Sequence, residues 1–147
     1  PEEFANVAAK LSSQYDITIL GSPSEIDISM DIQKLLVKKG VTNYQNLVGD
    51  TNISELIDII SNLDLFITGD SGPMHLAANY QVPTVSIFGP TKDNETSQWM
   101  NKKSIIVKKN LDCQPCMKRV CPLKHHNCMK LIKAKDILVE VESLNYL

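Results

Sequence analysis

The sequence predicts an α/β fold, a doubly wound parallel sheet of Rossmann-like type with helices on both faces. Two patterns predict it. Strand-like runs alternate with runs of helical period along the chain. The strand runs are also short and apolar on both faces, as in a sheet covered from each side. At 147 residues, 43% hydrophobic and 22% charged, the chain is long enough for one domain with a real core.

The elements follow in order. Phe4, Val7, Ala8 and Leu11 recur at helical spacing, so residues 2–14 read as an amphipathic helix. "DITIL" (16–20) is a β-branched run ending at Gly21, hence a strand and a turn. Residues 25–39 are helical and stop at Gly40, and "YQNLVG" (44–49) is a short strand. In "DTNISELIDIISN", Asn52 is an N-cap with Glu55 three residues on. Ile53, Leu56, Ile57 and Ile60 form the stripe expected to be buried. "LDLFIT" (63–68) is an apolar strand, residues 72–80 a short helix, and "VPTVSIF" (82–88) a strand opened by Pro83. "SIIVKK" (104–109) is one more strand; residues 110–128 lack periodicity, and 133–147 form a closing helix. No repeat or low-complexity linker interrupts the series, so residues 1–147 are expected to form one domain.

Charge narrows the function classes. The formal net charge is −2, which argues against generic nucleic-acid binding. Its distribution is uneven: residues 1–100 hold 5 of the 15 basic residues and 13 of the 17 acids. Residues 101–135 hold ten basic residues against the single acid Asp112. Such a stretch is either a solvated lysine-rich surface or a face turned toward phosphate or an anionic membrane. No run of about 18 apolar residues or signal-peptide pattern is present. The chain opens at Pro1 in a helical pattern, which suggests a piece of a longer protein.

The most informative stretch is "FITGDSGPMHLAANYQVPTVSIFGP" (66–90). In open α/β sheets, ligands sit beyond the carboxyl ends of the strands, and Asp70 and Ser71 follow a strand directly. Gly72 permits close backbone approach, and Pro73 tolerates the first helical turn because its missing N–H would be unpaired there. The free N–H groups and helix dipole then favour an anion such as phosphate. His75 lies in that turn, where its ring N–H is a directional donor. Asp70 on this edge either caps the helix or grips sugar hydroxyls, and Ser71 can equally be a plain N-cap. The letters Gly-Asp-Ser-Gly do not make a serine protease here. The triad's base and orienting acid are not evident, and the α/β pattern is the wrong setting.

With "DSGPMHLAA" (70–78), "VPTVSIFGPT" (82–91), "TNISELIDIISNLDLFI" before them and "CQPCMKRVCPLKHHNCM" (113–129) after, the chain resembles the heptosyltransferases of glycosyltransferase family 9. The resemblance covers nearly all of the chain and matches the C-terminal half of a GT-B fold. It implies a nucleotide-sugar donor-binding domain, with the N-terminal acceptor domain absent from these residues. The implied reaction is inverting transfer of a heptose-like sugar from a nucleoside diphosphate, ADP in the first place, to a lipid-linked oligosaccharide of the lipopolysaccharide core. No cofactor is required for that transfer. Asp70, Ser71, Gly72 and His75 stand where the family's motif meets the sugar and diphosphate, and His75 would steady the leaving group. Glu25, in "GSPSE", resembles the acidic residue that holds the nucleoside; its plain alternative is a first-turn helix carboxylate. Gly89, Pro90 and Thr91 lie on the same edge and are expected to line the pocket. The general base would come from the absent domain, so this fragment alone is expected to be inactive. The implied location is the cytoplasm, with peripheral contact at the inner face of the inner membrane.

All four cysteines fall within residues 113–128, in a chain too large to need disulfide staples, so a reducing compartment is expected. Cys113, Cys116, Cys121 and Cys128, with His125 and His126 among them, supply enough ligands for a structural zinc. An iron–sulfur cluster, plain thiols or a partial disulfide, and a basic loop near the acceptor's phosphates are the other readings. Two further functions stand beside the transferase: a nucleotide-sugar epimerase half, disfavoured by "FGPT" and the cysteine segment, and a metal-stapled nucleic-acid module. Three Phe and one Trp in a chain acidic over its first hundred residues disfavour the latter.

Overall fold

A computed structural model describes residues 1–145 and divides the chain into two compact units, Pro1–Leu56 and Ile57–Leu147. In the first, α1 (Glu2–Leu11) precedes β1 (Ile17–Ile19). A single 3-10 turn (Pro23–Glu25) then leads into α2 (Ile26–Lys38), which is followed by β2 (Tyr44–Asn46). β1 and β2 run parallel, with Ile17 opposite Tyr44 and Ile19 opposite Asn46. The core is Ala5, Leu36 and Val41, packed by Ala8, Ile19, Ile32 and Tyr44. Small alanines on α1 let α2 approach closely, and Gly40 ends α2 at a left-handed φ of +75° that a β-carbon would strain. The Asn43 amide donates to the carbonyls of Ser12 (2.9 Å) and Tyr15 (3.0 Å), fixing where the chain enters β1.

α3 (Ile53–Ser61) opens as its sequence predicts. Asn52 Oδ1 accepts from the Glu55 N–H at 2.9 Å, and Glu55 Oε2 accepts from the Asn52 N–H at 2.8 Å. The expected stripe is corrected at one end. Ile60 is fully buried, but Ile53 is 77% exposed, because the first residue of the helix lies a turn outside the packed part.

The second unit is a three-stranded parallel sheet in the order β3 (Phe66–Gly69), β4 (Thr84–Phe88), β5 (Ser104–Lys108). β4 lies in the middle and every one of its residues is buried, with Val85 and Ile87 on one face and Thr84, Ser86 and Phe88 on the other. Thr84 satisfies its hydroxyl on the Val82 carbonyl at 2.8 Å. α4 (Gly72–Asn79) buries Met74, Ala77 and Ala78. The closing helix α7 (Ala134–Leu144) buries Ile137, Val141 and Leu144; the end of the predicted 133–147 helix, residues 146–147, lies outside the described residues. Two short helices occur where periodicity gave no sign, α5 (Asp93–Thr96) and α6 (Asn127–Lys130). The parallel α/β class is as expected, but the hydrogen-bonded ladders form a pair and a triplet rather than one continuous sheet. β1 and β2 hold only three residues each, and the polar Tyr44-Gln45-Asn46 gives that pair little apolar surface to extend it.

Asp136 ties α7 to the strand beside it. Its carboxylate accepts the Lys133 N–H at 2.9 Å and the Lys109 ammonium at 2.9 Å, and these bonds, backbone first, hold its pKa below the ordinary value. A depressed carboxylate stabilises the fold above its ordinary pKa, and that contribution is lost as pH falls through the folded value. Asp136→Asn is therefore expected to lower stability by about 1 kcal/mol at neutral pH. The melting-temperature gap to the unmodified protein should shrink in acid, as thermal denaturation followed from pH 7 to below pH ~3 would show.

Candidate functional site

The carboxyl ends of β3 and β4 carry the residues that the sequence singled out in this unit. β3 ends at Gly69, Asp70 and Ser71 make the turn, and α4 starts at Gly72 with Pro73 inside its first turn. Ser71 takes the N-cap position with extended backbone, yet its side chain makes no capping bond. Its hydroxyl pairs instead with Thr68 Oγ1 at 3.2 Å. Asp70 does not cap the helix either: its Oδ2 accepts from Thr96 Oγ1 at 3.0 Å. The Thr96 hydroxyl has the Lys92 carbonyl equally near, at 3.0 Å, so one proton serves two acceptors. The start of α4 thus has no side-chain acceptor over its free N–H groups.

Gly72 faces open space: a β-carbon there meets no atom within 4 Å. His75 is exposed in the first turn of α4. A helix start without a side-chain cap, an exposed imidazole and an unobstructed glycine suit an anionic ligand. Pro73 has no N–H, however, and the Met74 N–H is bonded to the Ser71 carbonyl at 3.2 Å, which leaves the Gly72 N–H as the donor on offer.

Gly89, Pro90 and Thr91 follow β4 on the same edge. Gly89 is buried, and a β-carbon there would overlap Met129 Sδ, so its smallness serves packing under α6. Thr91 Oγ1 is buried without a hydrogen-bond partner. Glu25 belongs to the first unit, where it is exposed and its Oε2 accepts from both the N–H and the hydroxyl of Ser22, each at 2.8 Å. That arrangement is the first-turn carboxylate of the plain alternative.

The cysteine segment closes over the end of β4. The Gln114 amide donates to the Gly89 carbonyl at 2.6 Å, and the Met117 N–H donates to the Pro90 carbonyl at 2.9 Å. All four cysteines, with His125, His126 and Pro90, line one small cavity of ≈ 20 Å³. The four are free thiols, and among the described residues no three His, Cys, Asp or Glu side chains are grouped to hold a metal ion. The zinc expectation at Cys113, Cys116, Cys121 and Cys128 is corrected accordingly. The thiols converge on one cavity, but hydrogen bonds to β4 anchor the loop in place.

Thr96 and Gln114 escaped sequence reading. Both sit in polar, aperiodic runs, and only the folded chain brings Thr96 to Asp70 across 26 positions and Gln114 to Gly89 across 25.

The second unit is of the open parallel α/β class, whose ligands sit at the carboxyl edge of the sheet where this turn lies. The sequence carries this further: residues 1–127 match the family model "Glycosyltransferase family 9 (heptosyltransferase)". A lipooligosaccharide heptosyltransferase 2 of Campylobacter jejuni subsp. jejuni serotype O:2 is 44% identical over 142 residues, 96% of this chain and 44% of that protein. The enzyme of the same name from Haemophilus influenzae is 33% identical over 104 residues, 70% of this chain and 30% of the relative. In structure, the chain is similar to the E. coli ADP-heptose lps heptosyltransferase II, with a TM-score of 0.80 and 22% identity over 97% of this chain and 40% of that one. The chain belongs to glycosyltransferase family 9, a family of sugar-transferring enzymes, and its fold is that of a GT-B half. It spans less than half the length of these relatives.

The thiols differ in a way that can be read directly. The N–H of His126 on Cys121 Sγ, at 3.4 Å, lowers the Cys121 pKa, whereas burial raises that of Cys128. Since the thiolate is the nucleophile, iodoacetamide should label Cys121 well before Cys128 near pH 7. Peptide mass spectrometry of a time course is the measurement, and equal labelling rates contradict the assignment.

Proposed function

We propose that this chain is the donor-binding half of an inverting glycosyltransferase. It would move a heptose-like sugar from a nucleoside diphosphate, ADP in the first place, to a lipopolysaccharide-type acceptor. The observation that carries the reading is the Asp70–Ser71–Gly72 turn, with the start of α4 uncapped and His75 exposed beside it. The relatives' names supply the sugar and the acceptor class.

In this reading the diphosphate lies over the N–H groups at the start of α4, in the space that Gly72 leaves open. As the glycosidic C–O bond breaks, negative charge gathers on the departing phosphate. In this reading the Gly72 N–H and the His75 ring N–H donate to it, and they stabilise the transition state more than the ground state because the charge grows there. Asp70, held by Thr96 through Oδ2, offers Oδ1 to a sugar hydroxyl. Ser71 donates a hydrogen bond and does not attack. Inversion requires the acceptor hydroxyl to approach the anomeric carbon opposite the diphosphate, and we assign its general base to the part of the relatives' length outside this chain. Glu25, in the first unit, keeps one carboxylate oxygen that Ser22 leaves unused. Transfer by this route draws on no metal or cofactor. Its place is the cytoplasmic side of the inner membrane, where such an acceptor is presented.

Calorimetric titration with ADP-heptose, ADP and UDP tests the reading. ADP-containing ligands are expected to bind, with His75→Ala weakening them about tenfold, the loss of one hydrogen bond to a charged group. Gly72→Val should weaken binding at least as much by filling the open space, and circular dichroism should show both variants folded. Absence of heat with all three ligands would falsify the assignment.

A further inference from the structure

The outer stretch of the cysteine loop, residues 117–124, sets exposed apolar side chains among exposed cations. Val120 is 82% exposed, Leu123 58% and Met117 50%. Lys118, Arg119 and Lys124 are exposed beside them, and none of the three enters an ion pair among the described residues. The stretch contains no acid and no aromatic residue. The loop's own anchoring produces this surface. Cys116 and Cys121 are half-buried against the thiol cavity, Lys118 and Leu123 touch its rim while remaining largely exposed, and Arg119 and Val120 face outward.

Each half of this pattern narrows the partner. Unpaired cations call for an anionic surface. Exposed valine, leucine and methionine call for an apolar phase that water and a phosphate ion do not supply. Nucleic acid would meet the cations but lacks an aromatic platform for its bases here. A bilayer with anionic head groups meets both requirements, since apolar tips enter the interface while Lys and Arg stay at head-group level. We propose that residues 117–124 form a docking surface for an anionic lipid bilayer, with Val120 and Leu123 entering the interface and Lys118, Arg119 and Lys124 on the head groups. Because the Met117 N–H is bonded to the Pro90 carbonyl, docking there brings the bilayer beside the carboxyl edge that carries Asp70 and His75. The inference deepens the transferase reading by naming the surface that presents its acceptor, but it stands on the loop's exposure and charge.

Co-sedimentation of the protein with phosphatidylcholine vesicles, and with vesicles holding about 30% phosphatidylglycerol, tests it. Binding to the anionic vesicles is expected to exceed binding to the neutral ones about tenfold at ~0.1 M salt, and to be released near ~0.5 M. Lys118→Glu, Arg119→Glu and Lys124→Glu together should lower it about tenfold or more. Val120→Ser with Leu123→Ser should lower it at least about threefold with charge unchanged. Trp99→Ser, at an exposed position before β5 and thus at the opposite end of that strand, should change nothing. No sedimentation, equal sedimentation with both vesicle types, or a Trp99→Ser loss matching the loop variants overturns the proposal. Displacement of the vesicles by millimolar inorganic phosphate or by duplex DNA overturns it as well. The charge and apolar variants are read separately, each with its melting curve, so a failure to fold in one leaves the other decisive. Nucleotide titration of the same samples separates the two readings: loop variants that lose vesicles but keep nucleotide support docking, whatever the donor proves to be.

Discussion

The bond from the Gln114 amide to the Gly89 carbonyl, seconded by the Met117 N–H on the Pro90 carbonyl, is the contact on which the working end of the second unit depends. β4 is buried along its whole length, so its carboxyl end is the fixed point of the sheet. The stretch 109–126, without helix or strand, would otherwise trail from β5 with little to set its path. Two hydrogen bonds to that fixed point give it one, and the thiol cavity then closes beneath it. A short, partly shielded bond to a backbone carbonyl directly after a buried strand is worth more than its count suggests, since that carbonyl has little freedom to lose.

The same edge separates two tasks by charge. At the end of β3 the groups on offer are backbone donors, an imidazole and one carboxylate steadied by Thr96. At the end of β5 they are ammonium and guanidinium groups on an exposed loop. On the proposed reading the first set meets the donor's diphosphate and sugar, and the second faces the phosphate-rich side of the acceptor. Neither set carries a nucleophile aimed at substrate. On that reading this unit binds, orients and stabilises charge.

Much of this was legible in the sequence, and for physical reasons. β4 could be read because Val85, Ile87 and Phe88 make a short β-favouring run closed by Gly89 and Pro90, although the polar Thr84 and Ser86 are buried with them. α3 could be read because its Asn52–Glu55 box is a local interaction, complete within four residues. The turn at Asp70–Ser71 was placed correctly because a strand must end where glycine, serine and proline crowd together. What each side chain does there was not legible. Asp70 and Ser71 both look like caps, yet one is engaged by Thr96 and the other by Thr68. α6 is a single turn framed by aperiodic residues, too short for a period to show. The cysteine spacing suggested a metal, whereas the side chains converge on a cavity without grouping as ligands. Spacing along a chain limits who can meet and leaves the angle of meeting to the fold.

Two glycines of this edge, alike in sequence, answer to different neighbours. A β-carbon at Gly89 would strike Met129 on α6, while one at Gly72 would point into empty space. The first glycine is there for the protein's own interior and the second for whatever arrives from outside. A designer seeking a different nucleotide sugar therefore has latitude at one of them only. A side chain at position 72 would enter open space, whereas one at position 89 must first displace the Met129 thioether.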